Sequence, residues 1–169
     1  YASEVTPGKS AKGYKDFNQF LADMTSRQRK NIKKERIKIS EQGISMVKIK
    51  GHDITLEMIE TFYQFYQVTY LKRGMRGYLN FDFFQRIIKL VPESILLVLA
   101  KNKEGEYVAG ALNFFDDRKL YGRYWGCLEE YDSLHFETCY YQGIEFCITQ
   151  NLKSFDPGVQ GEHKIKRGF

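Results

Sequence analysis

The stretch that decides the fold is ILLVLAKNKEGEYVAGALNFFDDRKLYGRYWGCL, residues Ile95–Leu128. It contains three runs of apolar and β-branched or aromatic residues that are typical of strands, Ile95–Lys101, Tyr107–Phe115 and Lys119–Leu128. Only short polar segments separate the runs, NKEGE with its turn at Lys103-Glu104-Gly105 and DDR with its turn at Asp116-Asp117. Because connections this short join antiparallel neighbours, the stretch predicts a three-stranded antiparallel meander.

Helices and one short strand are predicted before this meander. Residues 1–14 lack periodicity and predict a linker or flexible lead-in, so the domain is expected over residues 15–169. The apolar spacing and the capping residues then predict a basic helix over Asp16–Gln42, which is broken near Thr25-Ser26 and ended by Gly43. A strand over Ile44–Lys50 follows. Two further helices are predicted, one from Asp53 or Thr55 to Gly74 and one from Asn80 to Pro92.

A helix and a final strand are predicted after the meander. Ser133 occupies an N-cap position before a helix from Leu134 to about Asn151, and Pro157-Gly158 precedes a strand that begins at Val159. The order is a basic helix, strand, two helices, three meander strands, helix and strand. This is the order of the GNAT acyltransferase fold up to its fifth strand. We therefore predict an α+β fold with a mixed central sheet flanked by helices, truncated after the fifth strand.

The composition is that of one globular domain in a reducing compartment. The 169 residues are 43% hydrophobic, and no apolar run reaches the roughly 18 residues that a membrane-spanning helix needs. Three cysteines, Cys127, Cys139 and Cys147, are odd in number and lack CxxC spacing. They indicate neither a disulfide framework nor a zinc site, so we expect a cytoplasmic protein.

The net charge of +5 is concentrated in the first long helix. Between Arg27 and Lys38 lie seven basic residues and one acid, Glu35. Such a stripe attracts phosphate-rich partners through counterion release, and an ordinary solvated helix face explains it equally well. The residues predicted to contact nucleic acid or phosphate are Arg29, Lys30, Lys33 and Arg36.

The last meander strand carries candidate substrate-binding residues. Strict alternation places Arg123 and Trp125 on one face and Gly122 and Gly126 on the other. An isolated arginine that faces a core is costly, so Arg123 and Trp125 predict a binding site. The two glycines indicate either tight packing of a helix or a close approach to a ligand, and packing is the favoured interpretation.

The predicted final strand is unusually polar. Alternation places Gln160, Glu162 and Lys164 on one face, while His163 lies on the opposite, apolar face and is interpreted as a hydrogen-bonded core residue. Glu162 is the predicted catalytic base for an attacking amine, with a cross-strand ion pair as the alternative. Gln160, Lys164 and Arg167 are predicted to bind substrate.

The helix between these strands supplies further candidates. His135 and Glu137 are possible catalytic residues in its first turn, where the helix dipole favours a carboxylate and a neutral imidazole. That dipole is also a sufficient structural explanation for Glu137. Tyr141 is a further candidate for substrate binding. His135 and Glu137 are two residues apart and diverge on a helix, so no metal site is predicted.

A phosphate-binding loop is missing from the expected place. GNAT enzymes that use acetyl-CoA carry a glycine-rich turn after the fourth strand, whose backbone amides hold the pyrophosphate. Here the turn Cys127–Ser133 has no glycine and three acids. A standard site for the pyrophosphate of coenzyme A is therefore not expected, and no cofactor is predicted to bind tightly.

At this point the chain resembles a known group. The segments that carry the resemblance are SRQRKNIKKER (Ser26–Arg36), VAGALNF (Val108–Phe114), LYGRYWG (Leu120–Gly126), LHFETCYYQGIEFCI (Leu134–Ile148) and GVQGEHKIKRGF (Gly158–Phe169). They are similar to the FemAB-like family of bacterial proteins, labelled as peptidoglycan biosynthesis or recognition proteins within the acyl-CoA N-acyltransferase superfamily. A more distant similarity is to the Fem-type aminoacyl transferases, which pair two GNAT-like domains and use aminoacyl-tRNA.

The resemblance implies a function and several partners. It implies N-acyl or aminoacyl transfer to an amine, with a peptidoglycan precursor as acceptor, acyl-CoA or aminoacyl-tRNA as donor substrate, and possible contact with tRNA. It also implies a preceding GNAT-like domain in a longer chain. The alternative is a non-catalytic domain that recognises peptidoglycan precursor or RNA.

Overall fold

A five-stranded mixed sheet forms the centre of the protein. The computed structural model describes residues 14–75 and 77–158. The strands are adjacent in chain order, with β1 to β4 antiparallel and β4 parallel to β5. The predicted α+β fold with a mixed central sheet flanked by helices is confirmed. The strands are β1 (Ser45–Lys50), β2 (Ile95–Lys101), β3 (Tyr107–Phe115), β4 (Lys119–Cys127) and β5 (Ser154–Asp156).

Six α-helices are present in the described part of the chain. Three begin where the sequence predicts, because Thr25, Thr55 and Asn80 each accept a hydrogen bond from the backbone amide three residues on. The helices are α1 (Phe17–Ala22), α2 (Ser26–Glu41), α3 (Leu56–Lys72), α4 (Phe81–Leu90), α5 (Leu134–Phe136) and α6 (Gln142–Thr149). A π-helical segment, Glu137–Tyr141, joins α5 to α6 without a break.

The helices cover the two faces of the sheet. On one face α3 and α4 pack an aromatic cluster around Phe62, Tyr66 and Phe84 against β2 and β3. On the other face α1, α2 and α6 bury a second cluster that includes Phe20 and Ile144. Six of the seven residues of β2 are fully buried, which explains its unbroken apolar sequence.

The structure adds one strand that the sequence did not predict and corrects one predicted helix cap. A short strand, β5, precedes Pro157, whereas the predicted strand from Val159 lies outside the described residues. Three residues are too few for periodicity to reveal, although Phe155 is fully buried. Ser133 has φ +66° and makes no capping hydrogen bond; its hydroxyl donates instead to Asp132 Oδ1 at 3.1 Å.

None of the helices in the described residues has the length and apolar character that crossing a membrane requires.

Candidate active site

A β-bulge interrupts β4 at Arg123. In the register with β3, Gly122 lies opposite Asn113 and Tyr124 opposite Leu112, so Arg123 is the extra residue. The bulge reverses the alternation along the strand, and Trp125 packs against the same core cluster as Leu120. The faces predicted by strict alternation were therefore wrong. Arg123 is exposed, with its guanidinium carbon 6.0 Å from the centre of the Tyr121 ring.

The described pairing of β4 with β5 ends at Tyr121, just before the bulge. The two strands pair only over Lys119–Tyr121 and Ser154–Asp156. A Cβ atom on Gly122 would lie 3.1 Å from the carbonyl oxygen of Pro157, so the backbone that follows β5 still lies close to β4 at this point. Within the described residues, the backbone of β4 after Tyr121 has no strand partner on that edge.

A small cavity of about 170 Å³ lies next to the point where this pairing ends. It lies over the bulge, beneath the π-helical segment, and Asn113 of β3 contributes a side chain that is only 3% exposed. The residues that line it are Ala111, Asn113, Gly122, Arg123, Tyr124, Trp125, Cys139, Pro157 and Gly158.

A second, larger cavity of about 390 Å³ lies at the carboxyl end of β4. Trp125 lines both cavities, so the two are neighbours along the same strand. The second cavity is acidic and aromatic, because the turn that lacks glycine forms its wall. Its lining includes Arg73, Trp125, Glu129, Glu130, His135 and Phe136.

His135 and Cys139 lie between these cavities. The imidazole of His135 packs edge-on against Trp125, with ring centres 5.0 Å apart, and its Nδ1 is 3.9 Å from Cys139 Sγ. Burial raises the pKa of the Cys139 thiol, so a thiolate nucleophile is disfavoured. His135 lies beside both cavities, and its predicted catalytic role stays a prediction.

Glu137 is buried in an ion pair and lines neither cavity. Its side chain is 3% exposed; Oε1 accepts a hydrogen bond from Arg36 Nε and Oε2 accepts one from Gln142 Nε2, both at 2.9 Å. Arg36 also donates to Glu145 Oε1 at 3.0 Å. Burial lowers the pKa of Arg36, but the attraction of the two carboxylates outweighs it and the net direction is upward. These contacts anchor the π-helical segment to α2.

The basic stripe on α2 divides into structural and exposed cations. Arg36 is committed to the ion pair, and Arg29 Nη1 donates to the carbonyl oxygens of Leu21 and Met24 at the end of α1, both at 3.3 Å. Lys30 and Lys33 are exposed. Of the four residues predicted to bind phosphate, only these two are exposed, whereas Arg29 and Arg36 are half-buried.

The remaining predicted site residues fall into two groups. Tyr141 is fully buried and its hydroxyl donates to Glu35 Oε2 at 2.7 Å, which leaves it no route to a substrate. The others lie outside the described residues and are Gln160, Glu162, Lys164 and Arg167, together with the predicted core residue His163. In the part of the chain that the structure describes, no three histidine, cysteine or acidic side chains are grouped as a metal ion would need.

Sequence reasoning missed Asn113. The residue lies in the run VAGALNFF, and a single amide in an otherwise apolar, largely buried strand was the signal that could have revealed it. The predicted packing of a helix over a glycine is confirmed for Gly126, since a Cβ there would lie 2.3 Å from the carbonyl carbon of Phe65 on α3.

The sequence of the chain was compared with models of known protein families. The chain matches the FemAB-like family, described as peptidoglycan biosynthesis/recognition, over residues 9–169. The chain belongs to this family. No curated protein sequence matches it.

Several solved structures share the fold. FemX is 14% identical with a TM-score of 0.67, and the alignment covers 98% of this chain and 60% of FemX. L-PGS from Bacillus licheniformis is 12% identical with a TM-score of 0.60, covering 85% of this chain and 46% of that one. The C-terminal domain of a putative lysylphosphatidylglycerol synthetase from Agrobacterium fabrum is 7% identical with a TM-score of 0.55, covering 80% and 43%. At these identities the likeness shows the fold alone, and the chain spans about half the length of each neighbour.

Proposed function

We propose that this chain is part of an N-acyltransferase that moves an aminoacyl group from aminoacyl-tRNA to an amine of a peptidoglycan precursor. The observation that carries the proposal is the edge of β4 near Arg123, where a bulge, the end of the described pairing with β5 and a small cavity coincide. Membership of the FemAB-like family, and the names of FemX and the lysylphosphatidylglycerol synthetases, support transfer of this kind.

In the proposed reaction the acceptor amine attacks the carbonyl carbon of the aminoacyl ester. A C–N bond forms, the C–O bond to the ribose breaks, and the proton released by the amine ends on the departing ribose oxygen. The backbone amides of β4 after Tyr121, which pair with no strand of the described residues on that edge, are placed to stabilise the developing oxyanion. Glu162, outside the described residues, is the proposed base, acting directly or through water.

The electrostatics of the larger cavity favour aminoacyl-tRNA over acyl-CoA as donor. Glu129 and Glu130 line the cavity at the end of β4, where a coenzyme A enzyme holds its pyrophosphate on backbone amides. Two carboxylates there repel an anionic pyrophosphate. The acyl group of the donor then lies in the smaller cavity, and the tRNA phosphates, which the same carboxylates would repel, lie outside the larger one.

We place the tRNA contact on the exposed part of the α2 stripe. Lys30, Lys33 and Lys34 surround a shallow surface depression next to Ile37, and none of the three lysines has an ion pair in the described residues. The full protein is proposed to be cytoplasmic. A preceding GNAT-like domain is also proposed, because this chain spans only about half the length of its structural neighbours.

The direct test is transfer of a radiolabelled aminoacyl group from tRNA to a peptidoglycan precursor by the full-length protein. We expect Glu162→Gln to abolish transfer and Glu104→Gln, a matched change at an exposed turn, to leave it unchanged. Normal turnover by the Glu162→Gln variant eliminates that residue as base. Absence of transfer by the wild-type protein, with retained binding of the precursor, supports the alternative of a recognition domain.

The tRNA contact has its own test, a salt titration of tRNA affinity. Replacing Lys30 and Lys33 with glutamine should reduce the slope of log affinity against log salt by about 0.7–0.9 for each phosphate that the variant no longer neutralises. The control replaces Lys89 and Lys103, which are exposed elsewhere. Equal slopes for the two double variants would remove the nucleic-acid contact from α2.

A further inference from the structure

Asn113 is a buried amide at the most irregular point of the sheet. It is 3% exposed and lies on β3 directly opposite Gly122, next to the bulge at Arg123. Its neighbours on both sides along the strand are the apolar residues Leu112 and Phe114. Since a buried polar group is costly unless it is hydrogen-bonded, an amide in this position calls for a partner.

The hydrogen bonds of Asn113 satisfy only one end of its amide. Nδ2 donates to the carbonyl oxygen of Leu96 at 3.3 Å and lies 3.5 Å from that of Ala111. Both partners are acceptors, so the nitrogen and not the oxygen must face them. Oδ1 accepts no hydrogen bond from any of residues 14–75 and 77–158.

The side chain lines the 170 Å³ cavity between β4 and the segment after β5. Among the described residues, the other walls are aromatic, aliphatic or backbone, apart from the exposed Arg123 and the thiol of Cys139, and they include no carboxylate. Asn113 Oδ1 is therefore an uncharged acceptor without a donor from this part of the chain, at a place that admits only a small group.

We infer that Asn113 is a specificity-determining residue, whose Oδ1 accepts a hydrogen bond from the α-amino group of a small aminoacyl donor. The inference rests on the proposed aminoacyl transfer and names the feature of the donor that the site reads. An amino group, neutral or protonated, donates to an amide oxygen. A plain acyl group of the same size leaves Oδ1 buried without a partner, and a site built to hydrogen-bond a group rejects the analogue that lacks it.

The volume of the cavity sets the size of the donor group. At about 170 Å³ it is much smaller than the roughly 300–1,000 Å³ of pockets that enclose drug-sized ligands. Cys139 bounds it on the helical side and Trp125 on the side of β4. A small donor group suits this space.

The test compares two stable mimics of an acylated tRNA end that differ only in the amino group. These are 3′-alanylamino-3′-deoxyadenosine and 3′-propionylamino-3′-deoxyadenosine, titrated calorimetrically into the full-length protein. We expect the alanyl compound to bind at least about tenfold more tightly, the effect of one hydrogen bond to a buried acceptor. Equal affinities, or absence of binding by both compounds, overturn the inference.

Variants then assign the preference to Asn113. Asn113→Leu should reduce the affinity for the alanyl compound to that for the propionyl compound, while Asn113→Asp, which retains an acceptor oxygen, should keep the preference. Asn31→Leu on the exposed face of α2 is the matched control. If the Asn113→Leu variant folds and its ratio of alanyl to propionyl affinity is unchanged, the assignment to Asn113 is overturned. If that variant fails to fold, the affinity ratio of the wild-type protein still tests the inference.

Failure of the inference and failure of the proposed function give different results. If the protein prefers the alanyl compound but transfers nothing from aminoacyl-tRNA, the inferred amino-group site stands and the proposed catalytic function fails. If the protein transfers alanyl and propionyl groups from tRNA with equal efficiency, the proposed catalytic function stands and the inferred selection by Asn113 fails.

Discussion

The ion pair beneath the π-helical segment gives the sharpest prediction of stability. Glu137 is 3% exposed and accepts hydrogen bonds from Arg36 and Gln142, one on each carboxylate oxygen. Glu137→Ala removes both acceptors together with the charge. It leaves Arg36, whose side chain is 23% exposed, with Glu145 as its remaining acidic partner.

The magnitude follows from burial. Breaking a buried ion pair by removing one partner costs about 3–5 kcal/mol, because the remaining charge stays desolvated. Glu145 retains part of the attraction, so the lower end, about 3 kcal/mol, applies to Arg36. An unpaired Gln142 amide adds about 1 kcal/mol. The total of about 4 kcal/mol is a large fraction of the roughly 5–15 kcal/mol that holds a domain folded.

The assay is urea denaturation followed by the fluorescence of Trp125, the one tryptophan of the 169 residues. The control is Asp82→Ala, which removes the exposed pair with Arg86, at 2.7 Å and four residues away on the same helix. Exposed helical pairs contribute about 0.3–0.5 kcal/mol, so the two variants should differ about tenfold in their effect. A loss below about 1 kcal/mol for Glu137→Ala would refute a stabilising role of this size for the pair.

Three further predictions concern packing, pH and thiol reactivity. Gly126→Ala should lower the free energy of unfolding by about 1–3 kcal/mol, because the new Cβ would lie 2.3 Å from the backbone of α3. Gly122→Ala, whose Cβ would lie 3.1 Å from Pro157, should lower it less, and equal melting temperatures of the two variants would contradict this. Burial raises the pKa of Tyr66 to about 12, so above about pH 10 the folded state holds a proton that the unfolded chain has released. Stability should therefore fall between about pH 10 and 12, and Tyr66→Phe should flatten that fall in denaturation midpoints; an unchanged slope would exclude Tyr66 as its source. Burial also raises the pKa of Cys127, Cys139 and Cys147, so iodoacetamide at about pH 8 should label them slowly until the protein unfolds, as mass spectrometry would measure. Rapid native labelling of the fully buried Cys147 would contradict this expectation.

The local signals in the sequence predict most of the fold. Three helices begin at Thr25, Thr55 and Asn80 because a capping side chain and the amide that it accepts from are three residues apart. The meander follows from apolar runs and short turns in the same way. Such features depend on neighbours in the chain, which a sequence displays directly.

The site was harder to predict because its geometry depends on distant residues. The bulge at Arg123 is a property of the register between β3 and β4, and one extra residue reverses every assigned face beyond it. Arg36 has the appearance of one more cation in a solvated stripe, yet its partner, Glu137, lies 101 residues further along the chain. Neither fact leaves a local trace in the sequence.

The bulge and the π-helical segment are the same kind of irregularity in two different elements. Each inserts one residue into a regular ladder, at Arg123 in β4 and within Glu137–Tyr141 in the helix, and each disturbs local hydrogen bonding. Both border the 170 Å³ cavity, Arg123 from the sheet and Cys139 from the helix. The buried pair of Glu137 with Arg36 then has a definite task, which is to hold the π-helical segment in register over that cavity. Deleting Arg123 should therefore restore a regular β4 and close the cavity, so that a more regular sheet would be accompanied by loss of donor binding.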